Sequence, residues 1–149
     1  MIEGRAVLRG ALMGLIVIVP VAVLYALLDR QIDDFQNSGW APLFALAIVV
    51  AYLVAGVGAG RIALAAPLSN GALAGLGALG LWLPLRVLIW AMRDASNHLF
   101  TGTDPVFSAS RLLGQAVLAV GLGAIGAYVT ARKARRTIES GGRAGADPA

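Results

Sequence analysis

Arg86 is the residue whose type and position most invite chemistry. It interrupts an otherwise uncharged run from Ile62 to Met92, and a guanidinium inside a bilayer is costly unless something compensates it. Trp82 and Trp90 stand four residues to either side, so both indoles can share its helical face and offer cation–π contact. No acidic residue falls inside an apolar run, which leaves Asp29 and Asp94 as partners from the adjoining loops. Two readings stand: Arg86 snorkels to nearby headgroups, or it forms a buried pair or an anion site.

A second polar group is His98 with Asp94, Asn97 and Asp104, either a weak pH-sensitive or metal-binding cluster or a solvated loop. One histidine and no cysteine exclude disulfides and any zinc site built on thiolates or several imidazoles. There is no phosphate-binding lysine loop, serine elbow or HExxH motif, and Gly56, Gly58 and Gly60 alternate inside an apolar run where a phosphate could not reach them. These residues imply no catalytic site, no cofactor and no resident metal, hence a non-enzymatic protein.

The elements that must position Arg86 follow from composition. With 58% hydrophobic and 13% charged residues and a mean hydropathy of +0.79, the chain has too few charges to coat a water-soluble globule. Its net charge of +4 does not indicate nucleic acid, because the basic residues cluster at the ends of apolar runs rather than along a polar face. A bilayer core of roughly 30 Å needs about 20 apolar residues in a helix. Four such spans are predicted, over about 8–28, 41–62, 70–92 and 106–132. Ser69 or Asn70 serves as N-cap of the third, and Asp104 with Pro105 starts the fourth. Residues 1–138 then form an all-α, four-transmembrane-helix domain, and 139–149, rich in Gly and Ala, a disordered cytoplasmic tail.

Basic residues set the orientation. Arg5, Arg9, Arg61, Arg132, Lys133, Arg135, Arg136 and Arg143 fall at one end, against Arg30, Arg93 and Arg111 at the other, so the first end is expected to be cytoplasmic with both termini on it. Tyr25, Trp40 and Trp90 lie near the outer ends of their spans, where amphipathic rings prefer to sit. The predicted location is a bacterial cytoplasmic membrane. The juxtamembrane cluster Arg132, Lys133, Arg135 and Arg136 should attract anionic lipid at about 1 kcal/mol per charge. The first span exceeds the usual signal-peptide core and no small-residue cleavage site follows it, so it reads as an uncleaved anchor. Ile2 to Arg5 spell a recognition sequence used for tag removal, by chance or by an engineered start.

Small residues recur at four-residue spacing: Ala51, Ala55 and Ala59 with Gly56 and Gly60, Gly10 with Gly14, Gly71 with Gly75, and Ala119 with Gly123 and Ala127. Such faces let helix backbones approach closely, either within the bundle or against a homodimer or membrane-protein partner. The first and third spans open on GALMGL and GALAGL, Gly56 to Ala59 resembles Gly121 to Ala124, and Pro20 and Pro84 break the outer halves of the odd spans. This suggests two repeated helical hairpins, as in transporter halves related by an axis along the membrane normal. The prolines would kink or hinge their helices.

The segment Ala55 to Leu76, AGVGAGRIALAAPLSNGALAGL, resembles the second-to-third span hairpin of small uncharacterised four-span membrane proteins common in Gram-positive bacteria. That resemblance implies topology and no activity. Small multidrug transporters would require a glutamate in the first span, and fluoride channels a Thr-Thr-Phe-Ser-like break in the third; neither is present. The expected role is therefore a structural or association subunit using its small-residue helix faces, the alternative being a small transporter or channel component with Arg86 and the proline-kinked helices lining a path.

Overall fold

The computed structural model describes residues 2–31, 39–92 and 108–144, with the side chains at 30, 41, 89–92 and 139–144 excepted. They form four helices, α1 (Gly4–Gln31), α2 (Ala41–Gly60), α3 (Pro67–Met92) and α4 (Ala109–Ala144), and among the described residues there is no strand. All four are long and apolar enough to cross a membrane. Helix is the form that such runs must take in lipid, since it alone satisfies every backbone group within one segment. At 1.5 Å per residue, α2 rises about 30 Å, the thickness of a bilayer core, whereas α4 rises about 54 Å and must project beyond it.

The helix ends depart from expectation in three places. Helix α3 begins at Pro67 rather than at Gly71, because a proline in the first turn forfeits only an N–H that has no helical partner anyway. Asn70 is therefore not a cap but a fully buried residue of the first turn. Its Nδ2 donates to Ala66 O at 2.9 Å and its Oδ1 accepts the Glu3 N–H at 2.8 Å. At the start of α4, Ser108 Oγ accepts the Arg111 N–H at 3.2 Å; Asp104 and Pro105 lie outside the described residues. Helix α4 continues through residues 139–144, expected in the disordered tail. Lys133, Ala134, Arg135 and Arg136 are good helix formers, and Thr137 Oγ1 donates back to Lys133 O at 3.2 Å.

The chain runs up and down. Glu3 meets Asn70 at the start of α3, and Arg135 of α4 donates from Nη2 to Leu64 O in the α2–α3 connection at 2.8 Å. The beginnings of α1 and α3 and the last turns of α4 therefore share one end with that connection, the end that gathers Arg5, Arg9, Arg61, Arg132, Lys133, Arg135 and Arg136. Each of α1·α2, α3·α4, α1·α3 and α2·α4 packs together, α2 also packs on α3, and among the described residues the α1 and α4 backbones are not neighbours.

Inside the bundle the residues are small. Ala51, Ala55, Ala59, Ala74, Ala78 and Ala119 are completely buried, while Leu12, Ile16, Leu24, Leu46, Val117 and Val129 are exposed. A water-soluble core has the opposite arrangement, with large aliphatic side chains within. In lipid, close backbone approach supplies the van der Waals contact that a hydrophobic drive cannot. Ile18, Tyr52 and Leu79 are the bulkiest members of the central cluster.

The two hairpins make matching contacts, but in a register and by an operation that differ from expectation. A Cβ on Gly10 would meet Ala55 O and one on Gly14 would meet Ala51 O; one on Gly71 would meet Gly123 O and one on Gly75 would meet Ala119 O. Equivalent positions are thus 61 residues apart between α1 and α3 (10 to 71) and 68 apart between α2 and α4 (55 to 123). The look-alike Gly56 to Ala59 and Gly121 to Ala124 are 65 apart and not equivalent: Gly56 is pressed against Gly123, whereas Gly121 faces open space. An axis along the membrane normal exchanging the hairpins would make the α2·α3 and α1·α4 contacts identical. One exists and the other does not, so the hairpins lie side by side as if translated.

Candidate functional site

One group of polar side chains lies toward the end opposite the basic one. Arg86 is partly buried on α3 and lies within electrostatic range of Arg111 on α4 and Tyr25 on α1. Helix α3 carries Arg86 two residues past Pro84, and the Ser108 cap fixes the first turn of α4 from which Arg111 projects. Tyr25 is held in turn by an edge-to-face contact with Phe44 of α2, with ring centroids 5.5 Å apart and planes at 85°, the offset geometry that aromatic quadrupoles favour. Just inside this group, Gln115 Oε1 is buried, the one buried side-chain oxygen or nitrogen among the described residues without a hydrogen-bond partner. An unmade bond of this kind in an apolar setting costs about 1–3 kcal/mol.

The sequence placed Trp82, Trp90, Asp29 and Asp94 around Arg86. Trp82 packs against the central cluster, so much of its ring serves the core. Asp29 sits in the last turn of α1 and, like Arg86, is engaged in an interaction. The Trp90 side chain, Asp94 and the His98 group lie outside the described residues. Among those described, no three His, Asp or Glu side chains gather as metal ligands do.

At the opposite end, Arg132, Lys133, Arg135 and Arg136 are all exposed. Five helical residues rise about 7 Å, close to the depth of a headgroup layer. Arg135 spends one N–H on Leu64 O, which ties α4 to the α2–α3 connection.

The residues singled out for helix packing, Gly10, Gly14, Ala51, Ala55, Gly56, Ala59, Gly60, Gly71, Gly75, Ala119, Gly123 and Ala127, are all buried. Ala55 and Ala51 receive Gly10 and Gly14, Gly123 and Ala127 receive Gly56, Gly60 and Gly71, and Ala119 receives Gly75. Each of these contacts lies within the chain. Spacing announces a close approach but does not say to which helix.

Sequence reasoning missed the Tyr25–Phe44 contact, the Ser108 cap and the tie between Asn70 and Glu3. The signal for the last was present: an uncharged polar residue in an apolar run must find hydrogen-bond partners if it is buried.

This fold defines an all-α, multi-pass integral membrane protein, a four-helix bundle with small residues inside and large apolar ones outside. No family model, curated protein or solved structure matches the chain. The resemblance carried by Ala55 to Leu76 therefore extends as far as a four-helix, apolar, membrane-spanning bundle.

Proposed function

We propose that the chain is a non-enzymatic module of a bacterial cytoplasmic membrane, with both ends cytoplasmic, that acts by associating with itself or with another membrane protein. The observation that carries this reading is the inverted distribution of side chains. The interior is built largely of fully buried alanines, and large aliphatic side chains cover the outside. Because the small-residue faces are spent internally, a partner meets the outer aliphatic surface. The basic collar of Arg132, Lys133, Arg135 and Arg136 supports the orientation and a preference for anionic cytoplasmic lipid. The test is the mass of the complex extracted in mild detergent: association requires more than one 15.3 kDa chain per particle, and a lone chain at every detergent and concentration tried rejects it.

A second reading, a transporter or channel component, is supported by one observation: Arg86 lies partly buried, within electrostatic range of a second arginine on the neighbouring helix. Solute flux in liposomes that is lost in Arg86→Gln supports it, and flux that survives the change opposes it.

A further inference from the structure

The tight packing of this bundle stops at one depth. No described residue of α1 beyond Ile18 is buried, none of α3 beyond Leu79, and none of α4 ahead of Ala119. On α2 the outer exception is Phe44, whose ring meets Tyr25.

Just past that boundary lie two prolines in matching positions. Where α1 and α3 run side by side, Gly10 stands opposite Ala74 and Gly14 opposite Ala78, a separation of 64 residues in each case. Pro20 and Pro84 are separated by the same 64 residues, so they lie at one height on adjacent parallel helices. Each lacks an N–H, which leaves the carbonyls of Ile16 and Gly80 without their helical donors. Gly80 also has open space beside it and adds backbone freedom on the α3 side. Helix α4 contains no proline, and the one in α2 falls in its first turn, so the weakness is confined to α1 and α3.

We propose that the outer ends of α1 (residues 21–31) and α3 (residues 85–92) hinge as a pair about the Pro20–Pro84 line, against a continuous α2–α4 pair, and that the Tyr25–Phe44 contact is the latch that holds them closed. Below the line, Gly and Ala contacts fasten all four helices. Above it, the Tyr25–Phe44 ring contact joins the α1 arm to α2. Arg86 rides on the moving side, two residues past the hinge, so opening carries it away from Arg111 and toward the outer headgroups. The device holds whether the module associates or transports, because it rests on packing and backbone chemistry alone.

The chain has no cysteine, so paired spin labels can be introduced without background. Ile16 with Val50, and Leu24 with Leu43, join the α1 arm to α2 on either side of the hinge line and are all exposed. In liposomes, pulsed electron resonance should give a narrow distance distribution for Ile16→Cys with Val50→Cys. For Leu24→Cys with Leu43→Cys the distribution should be at least twofold wider. Replacing both prolines by alanine should narrow the outer distribution to the inner width, and Tyr25→Ala should widen it. An outer pair as narrow as the inner one, or a broad outer pair indifferent to the proline replacements, would overturn the hinge. A broad inner pair would overturn the fastened base on which it depends, a different failure with a different signature.

Discussion

Gly56 of α2 lies directly against the backbone carbonyl of Gly123 of α4, so close that a Cβ at position 56 has nowhere to go. The obstacle is backbone rather than a flexible side chain, and it belongs to a helix fastened by Gly60 on Ala127 and by Gly71 and Gly75 on the other side. Neither helix can retreat without opening a second contact.

Gly56→Val should therefore lower the stability of the detergent-solubilised bundle by about 1–3 kcal/mol or more, the range for overpacking a fitted interior. Gly121→Ala, where a Cβ meets open space, should be neutral or stabilising by up to about 1 kcal/mol. The fraction of monodisperse protein remaining after a temperature ramp measures both, and equal effects would show that this interface is not closely packed.

Asn70 ties the first residues of the chain to the start of α3. Asn70→Ala leaves the Glu3 N–H and Ala66 O without this partner, at a cost of about 1–3 kcal/mol. Glu3→Pro removes the donor from the other side. Combined, the two changes should cost less than the sum of their separate effects, since they break one shared bond; strict additivity in the same thermal assay would show that the bond contributes nothing.

How much of this was legible from residues alone depends on the range of the interaction. The spans were readable because each is a local run of apolar residues ending in charge, and Arg9, Arg61 and Arg132 mark such ends. The closeness of the helices was readable from Gly10 with Gly14 and Ala55 with Ala59, since small residues at one-turn spacing have few other uses. The partner of each face was not, because that is a choice between helices distant in sequence, as Gly14 is from Ala51 and Gly71 from Gly123. Local likeness even misled: Gly121 imitates Gly56 in sequence and faces the opposite way. The start of α3 was misplaced because Asn70 is as good a cap as it is a buried bridge, and only the position of Glu3 decides between them. Around Arg86, the indoles were visible at helical spacing, whereas Tyr25 and Arg111 arrive from other helices.

The start of α4 offers a smaller effect. Ser108 Oγ accepts the Arg111 N–H, so Ser108→Ala should destabilise by about 0.5–2 kcal/mol and Ser108→Asp should largely retain the cap. A loss in both variants would assign the effect to something other than capping.

Orientation can be read by labelling intact cells. With the basic end on the cytoplasmic side, as proposed, a cysteine at Ser108 should react with a membrane-impermeant reagent, and one at Lys133 should react only after the membrane is opened. The reverse pattern would invert the topology proposed above.

The most direct test of the account as a whole asks which side chains meet lipid. Single spin labels at Leu12, Val117 and Val129, all exposed, and at Ala55 and Ala119, both fully buried, can be probed in liposomes with oxygen, which concentrates in the hydrocarbon, and with a water-soluble nickel chelate. The inverted bundle predicts strong oxygen contact at Leu12, Val117 and Val129, weak nickel contact at all five, and little of either at Ala55 and Ala119. Strong nickel contact at Val117 and Val129, or oxygen contact greatest at the two alanines, would contradict it.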